Sequence, residues 1–255
     1  VRPTGRADAN GVEITETVVP RRAALLTAGV DTQDDRLEAQ IIGWGPAEEA
    51  WTVGYRVFYG DPSVRALWEE LDEWLVAPRL IEGGGVDYIR GTAVDIGGHH
   101  GQAASDFCRP RLRRRMQDGR RAYVFAIKGQ GGEGTVWPRE PNRRNKWRVW
   151  LYPIRVNPAK DLLYGRLRQT EPKEDGGPSP GYIHFPTDPA LGFGESYFYG
   201  LDAEYPHTKV DKRGFRVREY RLRAGGRRNE PLDTLVYALA ALRGLTDGMG
   251  LDFER

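Results

Sequence analysis

Residues 25–45, LLTAGVDTQDDRLEAQIIGWG, constrain the fold more than any other stretch. Two apolar runs flank the polar turn DTQDD, which is too short to contain a helix, so the runs must pair antiparallel. The first run ends in an acid, Asp31, directly after Gly29 and Val30. A carboxylate closing a strand that otherwise reads as core is costly to bury without a partner. The question is what that partner is.

The pattern continues along the chain. Strands are expected over 23–30, 37–44 and 50–58, an antiparallel meander joined by the short turns DTQDD and GPAEE. DPSVRALWEELDEWL reads as a helix, capped by Asp61 or Ser63, with Val64, Leu67, Trp68, Leu71 and Leu75 at helical spacing. YIRGTAVDI (88–96) is a fourth strand, and it too ends in an acid, Asp95. A basic helix is expected over about 102–116, and a strand over 122–129. WRVWLYPI, GYIHFP and FRVREYRL read as strands. NPAKDLLYGRL reads as a short helix capped by Asn157, and GESYFYGLDAEY as another. The chain closes on NEPLDTLVYALAALRGL, a helix with Asn229 as its cap and Pro231 in its first turn. The order predicts an α/β fold. Its mixed central sheet combines an antiparallel three-strand meander with parallel strands, and helices cover both faces. With acids on strands one and four, this is the ribonuclease-H-like arrangement.

Composition narrows the setting. At 255 residues, one large domain or two small ones are expected. The formal charge of +2 points to no partner by itself. The arginines cluster in RPRLRRR (109–115), RRNKWR (143–148) and RAGGRRN (223–229), each readable as a solvated run or as a set of phosphate contacts. With Cys108 the single cysteine, a disulfide within the chain and a cysteine metal cage are both excluded, which favours a cytosolic setting. No apolar stretch approaches the ~20 residues of a membrane helix, and VRPTGRADANG has neither a signal-peptide core nor an initiator methionine.

In this topology strands one and four are central neighbours, and the start of the last helix lies over their ends. Asp31, Asp95 and Asp233 would then converge. Two carboxylates ~4 Å apart repel by roughly 4 kcal/mol at an effective dielectric of 20, and a divalent cation reverses the sign. Three aspartates suit two Mg²⁺ or Mn²⁺ ions, one generating a hydroxide and the other stabilising the leaving oxygen of a phosphodiester. Each acid also has a purely structural reading. Asp31 can close the turn DTQDD through its side chain, and Asp233 favours a helix N-terminus.

Several residues are weaker candidates. Glu230, His100 and Asp34 are possible supporting groups around the acids. Lys128, Lys160, Arg143, Arg144, Arg227 and Arg228 are possible DNA-phosphate contacts. GQGGEG (129–134) matches a dinucleotide fingerprint in letters only, because TVWPREPN follows where a helix is required. No P-loop signature and no GxSxG elbow is present.

AGVDTQDDRLEAQIIGWG, YRVFYGDPS, AVDIGGHH, YVFAIKG, NPAKDLLYGRL and RRNEPLDTLVYALAAL occur in an order that resembles the C-terminal nuclease domain of lambda-type tailed-phage terminase large subunits. The resemblance implies a metal-dependent endonuclease that cuts concatemeric double-stranded DNA during genome packaging, with its acidic triad at Asp31, Asp95 and Asp233. It also implies a terminase small subunit and a portal protein as partners, the host cytoplasm as compartment, and an ATPase domain preceding this chain. Residues 1–22 would then be a linker, 23–245 the nuclease domain with a β-rich insertion over about 130–225, and 246–255 a tail. Two alternatives stand beside this reading. One is a non-cutting module that grips DNA or docks on the portal, using Trp137, Trp147 and Trp150. The other is a junction-resolvase-like nuclease.

Overall fold

The computed structural model describes residues 6–7, 13–14, 17–170, 179–188, 191–210, 212, 214–225 and 228–253. The meander forms as its alternation and short turns require: β1 (Leu25–Thr32), β2 (Arg36–Trp44) and β3 (Ala50–Tyr59) pair antiparallel in sequence order. Parallel strands then add on the β1 side: β4 (Ile89–Asp95) and β5 (Arg121–Gln130), each reached through a helix, and β6 (Leu151–Arg155), reached through the non-helical segment 131–150. The short β7 (Ile183–His184) closes the other edge beside β3, giving the order β6-β5-β4-β1-β2-β3-β7. This is the mixed, ribonuclease-H-like sheet that the element order predicts. Among the described residues, no helix is long and apolar enough to cross a membrane.

Helices cover both faces. On one, α1 (Arg65–Val76) and α2 (Gly101–Cys108) bury Leu67, Leu71, Leu75, Ala104 and Phe107 against Leu26, Ala28, Val30 and Val94. On the other, α5 (Glu230–Arg243) lies across β1, β2 and β4, so that its residues are buried nearly all round. α3 (Val156–Leu167) and α4 (Glu195–Leu201) brace α5 from outside. Two polar pins set its register. Thr27 donates to the carbonyl of Ala238 at 2.8 Å, and Thr234 donates to Oε1 of Gln40 at 3.1 Å. A separate antiparallel hairpin, β8 (Glu204–Val210) with β9 (Arg216–Leu222), is mostly exposed and leads back into α5.

The helix expected over GESYFYGLDAEY stops at Leu201 and the strand expected over WRVWLYPI starts only at Leu151, and four further local expectations fail for identifiable reasons. The helix expected over 102–116 ends at Cys108 and passes into a 3₁₀ turn, because Pro110 lacks the N–H a continuing helix needs. Neither Asp61 nor Ser63 caps α1; the helix starts after Val64, and Asp61 instead accepts from the Ser63 N–H. Asn157 lies inside α3, where its amide donates to the carbonyl of Arg218. Asn229 occupies the N-cap position of α5 without capping it, since its side chain is used in the site described next.

Candidate active site

The geometry begins with the parallel pairing of β1 and β4. Val30 pairs with Val94, so Asp31 and Asp95 leave the sheet side by side at the C-terminal ends of neighbouring strands. Thr32 fastens these ends by donating to the carbonyl of Asp95 at 3.0 Å. Both acids face α5, as does Glu38, which pairs with Asp31 across the meander. Gly29 admits the helix. A Cβ at that position would lie 2.0 Å from the carbonyl oxygen of Thr234 and 2.6 Å from the nitrogen of Ala238. Only a residue without a side chain lets the first turn of α5, which carries Asp233, rest on β1 two residues before Asp31. Gly97 plays a smaller version of this part. Its N–H donates to Oδ1 of Asp95 at 3.1 Å, and a Cβ there would crowd that oxygen at 3.2 Å.

The three aspartates therefore share one rim, and the charge of Asp233 reaches both of the others. Burial, followed by the charges of Asp233 and Asp95, pushes the Asp31 carboxyl well above its ordinary range. Burial raises Asp95 to about 6; Asp233 adds to the rise, while the Gly97 N–H and Lys128 oppose it. Burial also raises Asp233, with Lys160 pulling it down and Glu204 pushing it up. Tyr237, one turn beyond Asp233 and facing the same rim, is raised by burial and then by Asp95, Asp233 and Asp31.

Asp233 is held on both oxygens. Oδ1 lies 3.0 Å from Nζ of Lys160, and Oδ2 accepts from Nδ2 of Asn229 at 2.7 Å. Lys160 also binds both oxygens of Glu204, at 2.8 and 2.7 Å, and Asn229 donates to Glu204 as well. Lys160 and Glu204 are buried. The expected DNA-phosphate role of Lys160 is thereby corrected: its ammonium is enclosed and fully engaged by carboxylates, since α3 turns it inward onto the root of the hairpin.

The donor chemistry fits a hard divalent cation. The groups are all carboxylates, they are crowded, and they are individually reluctant to ionise, a state that bound cations relieve. Among the described residues, no three His, Cys, Asp or Glu side chains already stand close enough together to hold an ion. Asp233 is turned toward Lys160 and Asn229 instead.

A family model described as the endonuclease domain of terminase large subunit gpA matches residues 6–248. The chain belongs to this family. It is 33% identical over 243 residues to the terminase large subunit of Escherichia phage lambda, covering 95% of this chain and 36% of that protein. It is 32% identical over 225 residues to the terminase large subunit of Enterobacteria phage P21, covering 88% of this chain and 33% of that protein. The chain thus spans about a third of the length of these curated relatives. No solved structure is significantly similar to it.

Within this gpA-type nuclease domain the remaining candidates are placed as follows. Glu230 is buried and joined with Glu38 to two guanidinium groups, those of Arg36 and Arg228. Arg228, although exposed, is therefore committed to these two acids. Asp34 is exposed and pairs with His99 at 2.9 Å, with His100 at 3.9 Å. His100 stands at the start of α2 without capping it. Lys128 lies one residue past Ile127, the sheet partner of Asp95, with its ammonium 5.8 Å from the centre of the Trp147 ring. Arg143 and Arg144 are exposed, and Arg227 falls outside the described residues. Sequence reading missed Glu204 and Tyr237, and noted Glu38 only as an acid near Asp31, without a role. Glu38 was within reach: the turn DTQDD fixes the pairing of the meander, and that pairing sets Glu38 opposite Asp31.

Proposed function

We propose that this domain is a divalent-metal-dependent endonuclease that hydrolyses phosphodiester bonds of double-stranded DNA, with Asp31, Asp95 and Asp233 as the metal ligands. The observation that carries the reading is the gathering of three buried carboxyls, each raised chiefly by burial, on one sheet rim, with α5 drawn in over Gly29 to complete the set. Bound Mg²⁺ or Mn²⁺, as a pair, would supply an activated hydroxide and charge neutralisation at the leaving oxygen. The protein's own contribution is placement. Asp31 and Asp95 sit on strand ends tied together through Thr32, and Asp233 is fixed by Lys160 and Asn229. By analogy with the terminase large subunits it is similar to, the substrate is concatemeric viral DNA in the host cytoplasm. By the same analogy the partners are a small subunit, a portal protein and an ATPase domain.

The test is plasmid cleavage. Purified protein is expected to nick and linearise supercoiled DNA with Mn²⁺, and more slowly with Mg²⁺. Asp31→Asn, Asp95→Asn and Asp233→Asn should each lower the rate by a factor on the order of 10²–10³ or more, as loss of a charge-stabilising group does. Full activity in a folded single variant would remove that residue from the site, and inactivity of the wild type with every divalent ion would reject the reading.

A further inference from the structure

Most cationic side chains near the acids are already neutralised. Arg36 and Arg228 hold Glu38 and Glu230. On the hairpin, Lys209 and Arg221 pair with Glu219, Arg218 with Asp161, and Arg223 with Asp202. The segment between β5 and β6 differs. Arg139, Arg143, Arg144, Lys146 and Arg148 are all exposed there, and none has a carboxylate partner among the described residues. Two of them rest on tryptophans. The Arg143 guanidinium carbon lies 4.3 Å from the Trp150 ring centre, and Lys146 Nζ 4.8 Å from that of Trp147. A ring face orients a cation without cancelling its charge, so these groups keep their full attraction for an anion.

This segment is also held in shape. Asn142 and Leu151 exchange backbone hydrogen bonds of 2.7 and 3.2 Å, and the Asn145 amide donates to the carbonyls of Asn142 and Val149. Arg109 donates to the carbonyl of Trp147 at 2.7 Å from the end of α2. Arg148 takes a left-handed backbone (φ 54°), which turns Val149 inward and leaves Trp150 exposed. Near its C-terminal end the strap packs on the start of α2. The Trp147 indole nitrogen is 3.1 Å from where a Cβ on Gly101 would be, six positions after Asp95, and Lys128 reaches toward the same ring.

We propose that the strap over 139–150 is the rail along which the phosphate backbone of duplex DNA runs as it leaves the acids, with Arg143, Arg144 and Lys146 each neutralising a phosphate. The hairpin, despite its arginines, does not carry this load. The identity of the partner rests on the nuclease reading; the choice of surface does not. Fluorescence anisotropy of a labelled duplex, titrated with protein in EDTA at several salt concentrations, tests it without cleavage. The Arg143→Gln/Arg144→Gln/Lys146→Gln variant should lower the slope of log K against log salt by about 2 to 3, since each phosphate contact contributes about 0.9. A Lys209→Gln/Arg218→Gln/Arg221→Gln hairpin variant should leave the slope unchanged. Arg144→Glu alone, at a side chain with no ring contact, should lower it by about one and guards against misfolding of the triple variant. An unchanged slope in the strap variants, or a larger loss in the hairpin variant, overturns the rail. Wild-type protein without salt-dependent DNA affinity in EDTA overturns the rail, whereas the nuclease reading stands or falls on plasmid cleavage with divalent ions.

Discussion

Lys160 places its ammonium 3.0 Å from Oδ1 of Asp233 while binding both oxygens of Glu204, so one buried cation serves two buried acids. Removing it strands both. Lys160→Met should destabilise the domain by about 3–5 kcal/mol in urea unfolding, the usual result of deleting one partner of a buried ion pair. Lys160→Met with Glu204→Gln should recover part of that loss. DNA affinity measured in EDTA should not change in either variant that remains folded, because the ammonium is enclosed.

Gly29→Ala tests how closely α5 must approach. The new methyl would meet the Thr234 carbonyl and the Ala238 nitrogen at distances no packing accommodates, and both are backbone atoms. Either the fold loses about 3 kcal/mol or more, or α5 retreats and carries Asp233 with it. Thermal melts and plasmid cleavage measured together separate the two outcomes. A variant that is both as stable and as active as wild type would contradict the packing described.

Asp95 predicts a pH dependence with a definite sign. Its folded value is raised to about 6, above the ordinary 3.8, so the neutral acid stabilises the metal-free fold. That contribution is complete below about pH 4 and is lost as pH rises through about 6. Asp95→Asn escapes the loss and should be more stable than wild type in EDTA at neutral pH, by about 3 kcal/mol. Added Mn²⁺ should stabilise wild type and leave the variant behind. Equal pH profiles in EDTA would show that the charge on Asp95 is not resisted.

Cys108, buried at the end of α2 with its thiol pushed up by burial, should resist a thiol reagent in the native protein and react on denaturation. Its labelling rate then reports opening of α2. Rapid native labelling would indicate that this helix end is loosely held.

The meander, the two strand-end acids and the closing helix were readable because alternation, short turns and helical spacing are local signals. Whatever depended on the far side of a contact was not. Asn229 and Asn157 look like caps in sequence, but each spends its amide on a distant strand or acid. Lys160 looks like a surface cation on a short amphipathic helix. A hint existed: Asn157, Lys160 and Tyr164 recur at helical spacing, and all three are buried, forming a polar stripe that faces Glu204 and Arg218. Glu204 begins a strand where a helix was expected to continue, so nothing in its neighbourhood advertised a charged partner.

The hairpin over 204–222 keeps one unbroken ladder, from Glu204 opposite Leu222 out to Val210 opposite Arg216. Its root, at Glu204, touches the site, and the described residues of its far end are exposed. A fluorophore at Phe215, exposed near that far end, would therefore ride on a stiff arm with a fixed foot, reporting nearby motion without disturbing the groups beneath it.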